Sequence, residues 1–444
     1  MRRNVLIAYG LLQHPLRATI REHLYSFERY GSCRYFYVNF GVRRFPRWLG
    51  KVNFDAVILH HTLTGQRMAP PVYNWQLRRA GALRELAPLR VALIQDECIY
   101  TDPMSDLIRQ FGVQHVFSLA PPSEWPKIYA GVELDEVKFH QVLAGYLDDD
   151  ALARIERIVA ASGEREIDIG YRAWAGLMSL GRQGMLRRQL AEAFGPAAAA
   201  RGLRTDISTD ADSVLHGDDW YRFLASCKYM IGAEGGATVL DRTGEIMVKT
   251  ERYVASHPGA SFEEVEAACF PGEDGKLALF ALSPRHLEAC ATLTCQVLVE
   301  GEYSGVLRAE EHYISLKRDL SNIDQVLDRI QDDGERERIT EAAYRDVVAS
   351  GRYSYQRLVD YVESTVGLRR VTPRSAETPT LLRLHRRSVR TDRASMLRMA
   401  AYVRAARFAR VLGARLLPRG VRERARDRLA GGAKLGRGHA NPLP

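Results

Sequence analysis

The chain has 444 residues, 46% apolar and 26% charged, which is enough for two globular domains and an appendage. No stretch approaches the roughly 20 apolar residues of a membrane-spanning helix, and the six cysteines show no C-x-x-C spacing, which argues against a zinc ribbon or a disulfide framework. The formal charge of +9 is unevenly held: from Arg369 onward twenty lysines and arginines meet four acidic residues, so the tail carries +16 and the rest of the chain −7.

Residues 4–9 read as a first buried strand rather than a secretory signal, because the apolar run is short and no small-residue cleavage site follows. A cytoplasmic protein with reduced, buried cysteines is therefore expected. A helix over 16–30 follows, then strands over 35–39, 54–61, 90–95 and 113–118. Strands alternating with helices predict a parallel sheet covered on both faces, a Rossmann-like domain over 1–150. Polar residues at the carboxyl ends of such strands lie where ligands bind. Here they are His60 and His61, then Gln95, Asp96 and Glu97. His61 has the pKa range of a general base, or it is a hydrogen-bonded core histidine. Asp96 and Glu97 are adjacent and point to opposite faces, so one would position an acceptor and the other cap the next helix.

A helix over 147–161 is expected to cross to a second α/β domain over 165–368, which opens with a strand over 167–171. Arg172 ends that strand, and Arg187 sits early in the helix after the 181–184 turn; cations so placed can neutralise a diphosphate or can be plain surface charges. A strand over 205–208 and a helix over 220–226 follow. The stretch 230–326 then repeats strand, polar turn and helix three times. Residues 229–232 run into Glu234, Gly235 and Gly236, and paired glycines permit close backbone approach to an anion. Residues 276–282 run into Ser283-Pro284 and a helix start carrying Arg285, His286 and Glu288. Residues 313–316 lead through 319–322 to a helix from Ile323. Arg285 and Glu288 are spaced for an i,i+3 structural pair or for a ligand at the helix start. His286 would face a phosphate or fill the turn. Closing helices are expected over 338–348 and 353–366.

The pieces EGGATVLDRTGEI, SPRHLEACATLTCQVLVEGEYSGVL and HYISLKRDLSN resemble the carboxyl-terminal half of GT-B glycosyltransferases. They are most similar to the bacterial group related to spore-maturation glycosyltransferases and the glycosyltransferase family 4 enzymes. The likeness covers residues 165–365, and the first ~150 residues in layout only. It implies two Rossmann-like domains facing across a cleft and a nucleotide-sugar donor. It places Arg285 and Glu288, which match an R-x-x-E-A element, in the donor crevice. Phe280 stands where related enzymes often carry an earlier glutamate, so the two-glutamate motif is incomplete. The resemblance also implies metal-independent chemistry, with cations and helix ends receiving the leaving diphosphate, and no cofactor. No D-x-D lies in a position suited to a metal.

The tail, residues 371–444, has helix-forming composition over 381–430, with leucines and other apolar residues interleaved among arginines. That pattern suits an anionic membrane surface, with packing on the body or disorder as alternatives. It lacks aromatics arranged for base stacking, so no nucleic-acid partner is expected. The expected activity is transfer of a sugar to a glycan or lipid-linked acceptor, with domain closure excluding water. A nucleotide-sugar epimerase and a non-catalytic nucleotide- or polyanion-binding scaffold remain as alternatives.

Overall fold

A computed structural model of the chain describes residues 2–12, 16–369 and 379–416. In the first lobe, β1 (Asn4–Tyr9), β2 (Arg34–Asn39), β3 (Ala56–Leu59), β4 (Leu89–Leu93), β5 (His115–Ser118) and β6 (Lys138–Gln141) form a parallel sheet in the order β2-β1-β3-β4-β5-β6. Alternate residues of β1 serve different cores: Leu6 and Ala8 pack on one face, Val5, Ile7 and Tyr9 on the other. This is the period-2 consequence of a sheet covered on both sides. The helices α1 (Ala18–Tyr30) and α2 (Thr101–Phe111) belong to this lobe.

The crossing helix α3 (Asp149–Ala161) starts at Asp148, whose carboxylate accepts from the backbone N–H groups of Asp150 and Ala151. The second sheet holds β7 (Ile167–Arg172), β8 (Thr205–Ser208), β9 (Cys227–Gly232) and two later strands. With β10 (Gly235–Ala237) and β11 (Leu279–Ala281) set aside, β12 (Cys295–Val299) and β13 (Ile314–Leu316) complete the parallel order β13-β12-β9-β7-β8. Its helices include α4 (Arg182–Ala199), α5 (Asp218–Ser226), α6 (Glu245–Ser256), α7 (Phe262–Cys269), α8 (Pro284–Ala291), α9 (Ile323–Arg329) and α10 (Asp333–Ala343); α11 (Tyr355–Thr365) returns to the first lobe, with Leu358, Val359 and Val362 in that lobe's core. The fold is α/β with two Rossmann-like sheets, as expected from the sequence.

Three features differ from expectation. The apolar run at 276–282 does not enter the main sheet; β11 pairs antiparallel with β10 as a separate ribbon. The segment between them, read only as a spacer, holds α6 and α7 and reaches the first lobe. Tyr100 N–H donates to Asp241 O at 2.7 Å, and Asp241 N–H to Cys98 O at 2.8 Å. Leu277 and Leu279 lie in the first lobe's apolar core. On the other side, the fully buried Glu363 of α11 accepts from Ser32, Cys33 and Tyr35 of the first lobe. The lobes therefore share core and hydrogen bonds, and any closing movement works within that constraint.

The tail helix α12 (Pro379–Leu416) docks its first half on edge strand β2. Tyr37 N–H donates to His385 Nε2 at 2.9 Å, Arg43 pairs with Asp392, and Asn39 Nδ2 reaches Met396 Sδ at 3.4 Å. Residues 385, 388, 392 and 396 share one helical face, and the helix covers an otherwise open sheet edge. Packing on the body, one of the alternatives for this segment, thus holds for its first half. Residues 417–430 of the predicted tail helix lie outside the described residues.

Candidate functional site

The donor candidates cluster where α8 begins. Proline at its first position pre-sets the backbone for a helix, and the first turns carry Arg285 and Glu288. Among the described residues these two form no ion pair within 4.0 Å. Trp220 of α5 stands between them instead. Its indole N–H donates to Glu288 Oε2 at 2.7 Å, and the Arg285 guanidinium lies 5.0 Å from its ring centroid. Arg285 Nη1 donates to the backbone carbonyl of Arg172 at 2.5 Å.

Both side chains are half-buried, yet both are strongly desolvated. Burial pushes the Glu288 carboxyl up to about 7, against the Trp220 hydrogen bond and Arg285, while Glu22 pushes it further up. Burial lowers the Arg285 pKa, with Glu288 opposing and Arg187 and Arg17 adding to the fall. Solvent reaches both groups on one side, and protein encloses them on the others. Arg17 and Glu22 lie just before and within α1 of the first lobe, so charges of the two lobes meet here. Arg187 is half-buried with no hydrogen bond or ion pair among the described residues, and its Nη2 lies 3.8 Å from where a Cβ on Gly235 would be. Arg187 and the desolvated Arg285 thus leave positive charge here for a ligand to meet. Arg318, exposed after β13, is held by Gln183 Oε1 at 2.9 Å and lies 5.4 Å from the Phe280 ring.

Several expected site residues have other work. The Arg172 guanidinium is tied to Asp206, and only its carbonyl reaches Arg285. His286 is buried, with Nδ1 2.8 Å from Gln296 Oε1 and Nε2 3.2 Å from Ala233 O, contacts that fit a residue filling the turn rather than facing phosphate. Glu234 is buried and accepts from Tyr303 N–H at 2.7 Å, which holds the loop after β12. Gly236 has φ 131°, and a Cβ there would sit 1.9 Å from Leu279 O, so ribbon packing alone requires a glycine. Gly235 stays beside Arg187. Glu97 is fully buried, its carboxylate accepting from Ser118 Oγ, Tyr129 OH and Leu119 N–H. A carboxylate so enclosed braces the fold and has no open edge for an acceptor.

Asp96, the residue before it, is exposed in a left-handed conformation with φ 56°. Burial by its surroundings raises its carboxyl, and Arg67 lowers it. His61, at the end of the neighbouring strand, is half-buried and touches the rings of His23 and His60. Burial, then His23, pushes its pKa well below the usual imidazole range. His23 in turn packs on Tyr355 at 5.9 Å, and Tyr355 is an electrostatic neighbour of Glu22 and Glu288. Tyr355 is thus a common neighbour of His23 and Glu288. A second cluster, Glu311, His312 and Asp346, is already bridged by Arg308. Trp220, Arg17 and Arg318 were not singled out from sequence. Trp220 was visible only as a helix residue, because its partner lies 68 positions away.

No protein-family model matches the chain, and no curated protein does. Among solved structures it is similar to Anabaena Alr3699/HepE in complex with UDP and glucose, at 11% identity and TM-score 0.44, over 82% of this chain and 100% of that one. It is also similar to sucrose-phosphate synthase from Thermosynechococcus elongatus, at 9% identity and TM-score 0.45, over 82% and 98%. The DNA-modifying enzyme β-glucosyltransferase gives 8% identity and TM-score 0.48, over 82% and 99%. Likenesses of this size assign the chain no activity.

Proposed function

We propose that the protein is a glycosyltransferase that moves a sugar from a nucleoside-diphosphate donor to a glycan or lipid-linked acceptor. The observation that carries this reading is the pairing of Arg187 and Arg285 without a carboxylate ion partner, beside the half-buried Glu288, where the lobes meet. The diphosphate would take the two guanidinium groups, so its charge is met without a divalent ion. Ribose hydroxyls would donate to the open oxygen of Glu288. Of the first-lobe candidates, Asp96 suits the base role best, because its carboxylate is exposed at the strand end while Glu97 is enclosed by three donors and His61 is packed against two rings. The acceptor oxygen would bond the anomeric carbon, the bond from that carbon to phosphate would break, and the acceptor proton would pass to Asp96.

The docked half of α12 supports a membrane-facing role. Arg383, Arg386, Arg387, Arg390, Arg393 and Arg398 are exposed, and Leu384 and Leu397 among them are 36% and 48% exposed. An anionic lipid surface would meet such a face, and vesicles with and without phosphatidylglycerol test it by co-sedimentation. No helix among the described residues is long and apolar enough to cross a membrane.

The activity is tested by incubating the protein with UDP-, GDP- and dTDP-sugars. Slow release of nucleoside diphosphate, accelerated by an acceptor extract, is expected. Interconversion of the free sugar nucleotide would make the protein an epimerase, and no binding of any of them would leave a scaffold.

A further inference from the structure

We propose that His23, His60 and His61 form a binding site for a divalent transition-metal ion of the zinc class in the first lobe. His23 comes from α1, and His60 and His61 from the turn that ends β3. Each offers one ring nitrogen, and these atoms all lie within 4.8 Å of one another. The ring centroids are 4.9 Å apart for His23–His60 and His23–His61, and 4.2 Å for His60–His61.

A simpler account exists for two of the rings. His23 Nδ1 and His60 Nε2 are 2.9 Å apart, a hydrogen bond that one shared proton explains without an ion. It leaves the third ring unexplained. His61 is half-buried and packs against both, and its ring makes no hydrogen bond among the described residues. Three ring nitrogens converge here, with His23 and His60 buried, and a metal ion takes such rings in their neutral form.

The surroundings suit ligation. His60 Nδ1 accepts from Thr62 N–H at 3.2 Å and lies 3.0 Å from Thr62 Oγ1, contacts that hold the ring's direction. With an ion on Nε2, the ring proton resides on Nδ1 and donates a hydrogen bond to Thr62 Oγ1, and the bond from Thr62 N–H is given up. A tetrahedral ion with bonds of about 2.0–2.1 Å needs ligand nitrogens roughly 3.3 Å apart, so His23 and His60 have to part by only a few tenths of an ångström. Because His61 is the ring that solvent reaches, the fourth position opens toward solvent. Three imidazoles select zinc, copper, nickel or cobalt over magnesium and calcium. The site does not depend on the transfer reading, and it lies apart from the arginines proposed for the diphosphate.

The test uses the full-length, untagged protein, stripped with a chelator and dialysed. Calorimetric titration with Zn2+ is expected to show one equivalent bound, with Mg2+ giving no heat. Co2+ is expected to give the intense visible absorption of a tetrahedral site. His61→Ala, a substitution at the most exposed ring, is expected to weaken Zn2+ at least about tenfold, the loss that even an outer partner's removal brings, with the circular dichroism spectrum unchanged. His312→Ala, in the other cluster, is expected to leave Zn2+ binding as it was. No Zn2+ binding by the wild type, equal binding of Mg2+, unchanged affinity in His61→Ala, or a loss confined to His312→Ala would each overturn the proposal.

Discussion

The carboxyl edges of the two sheets carry similar polar residues in opposite states. In the first lobe, Glu97 is enclosed by three donors, and the fully buried Arg67 gives its guanidinium to the carbonyls of Thr64, Gln95, Asp96 and Ile99. In the second, Glu288 has one donor, Trp220, and Arg187 has no partner among the described residues. A buried polar group whose partners are all present contributes to stability. A desolvated group left with an open edge is a ligand site in waiting. The contrast separates residue type from residue role: Glu97 is a brace, and Glu288, on helix α8, keeps an open carboxylate edge.

Removing the brace should have the largest effect. Glu97→Ala strands three buried donors and is expected to cost about 3–5 kcal/mol of stability, read by urea unfolding, while the fraction still folded binds the donor as before. A loss under about 1 kcal/mol would mean that Glu97 is not the brace described. On the other edge the sign reverses. Arg285→Ala should leave unfolding nearly unchanged but weaken nucleoside diphosphate binding by roughly 2–3 kcal/mol, on the order of 30- to 100-fold; a large fall in stability with intact affinity would make Arg285 a structural residue.

The pH response sharpens the same contrast. Glu288 is held at about 7 by burial, above the usual carboxylate range, so the folded protein keeps this proton after the unfolded chain has lost it. Its contribution favours folding at low pH and is lost as pH rises from the ordinary carboxylate range through about 7. Donor binding, which needs the carboxylate, should instead strengthen over the upper part of that span. In Glu288→Gln both slopes should flatten; slopes that persist belong to another group. The smallest effect is expected for Trp220→Phe, which keeps a ring under Arg285 and removes only the indole donor. A loss of about 1 kcal/mol in donor affinity, with the pH midpoint moved upward, would fit the hydrogen bond to Glu288, and an unmoved midpoint would not.

Much of the fold was legible in the sequence because short continuous apolar runs mark strands buried on both faces. The strands at Asn4–Tyr9 and Thr205–Ser208 match their expected bounds. Lys138–Gln141 was not, since an edge strand of polar, partly exposed residues carries no such pattern. The run ending at Ala281 showed that a strand exists but not which strand it pairs with. At the site, the proline-led helix start pointed to Arg285 and Glu288, and their i,i+3 spacing left a structural pair open. Only the position of Trp220, set by long-range packing, shows that the pair is not made. Burial likewise separated Glu97 from Asp96, which adjacent positions in a sequence cannot do.

The most direct measurement is calorimetric titration of UDP-, GDP- and dTDP-sugars into wild-type protein and Glu288→Ala. Saturable binding of at least one donor by the wild type, abolished in the variant while its circular dichroism spectrum shows it folded, is the expected result. Undiminished affinity in Glu288→Ala would contradict a donor site at the start of α8.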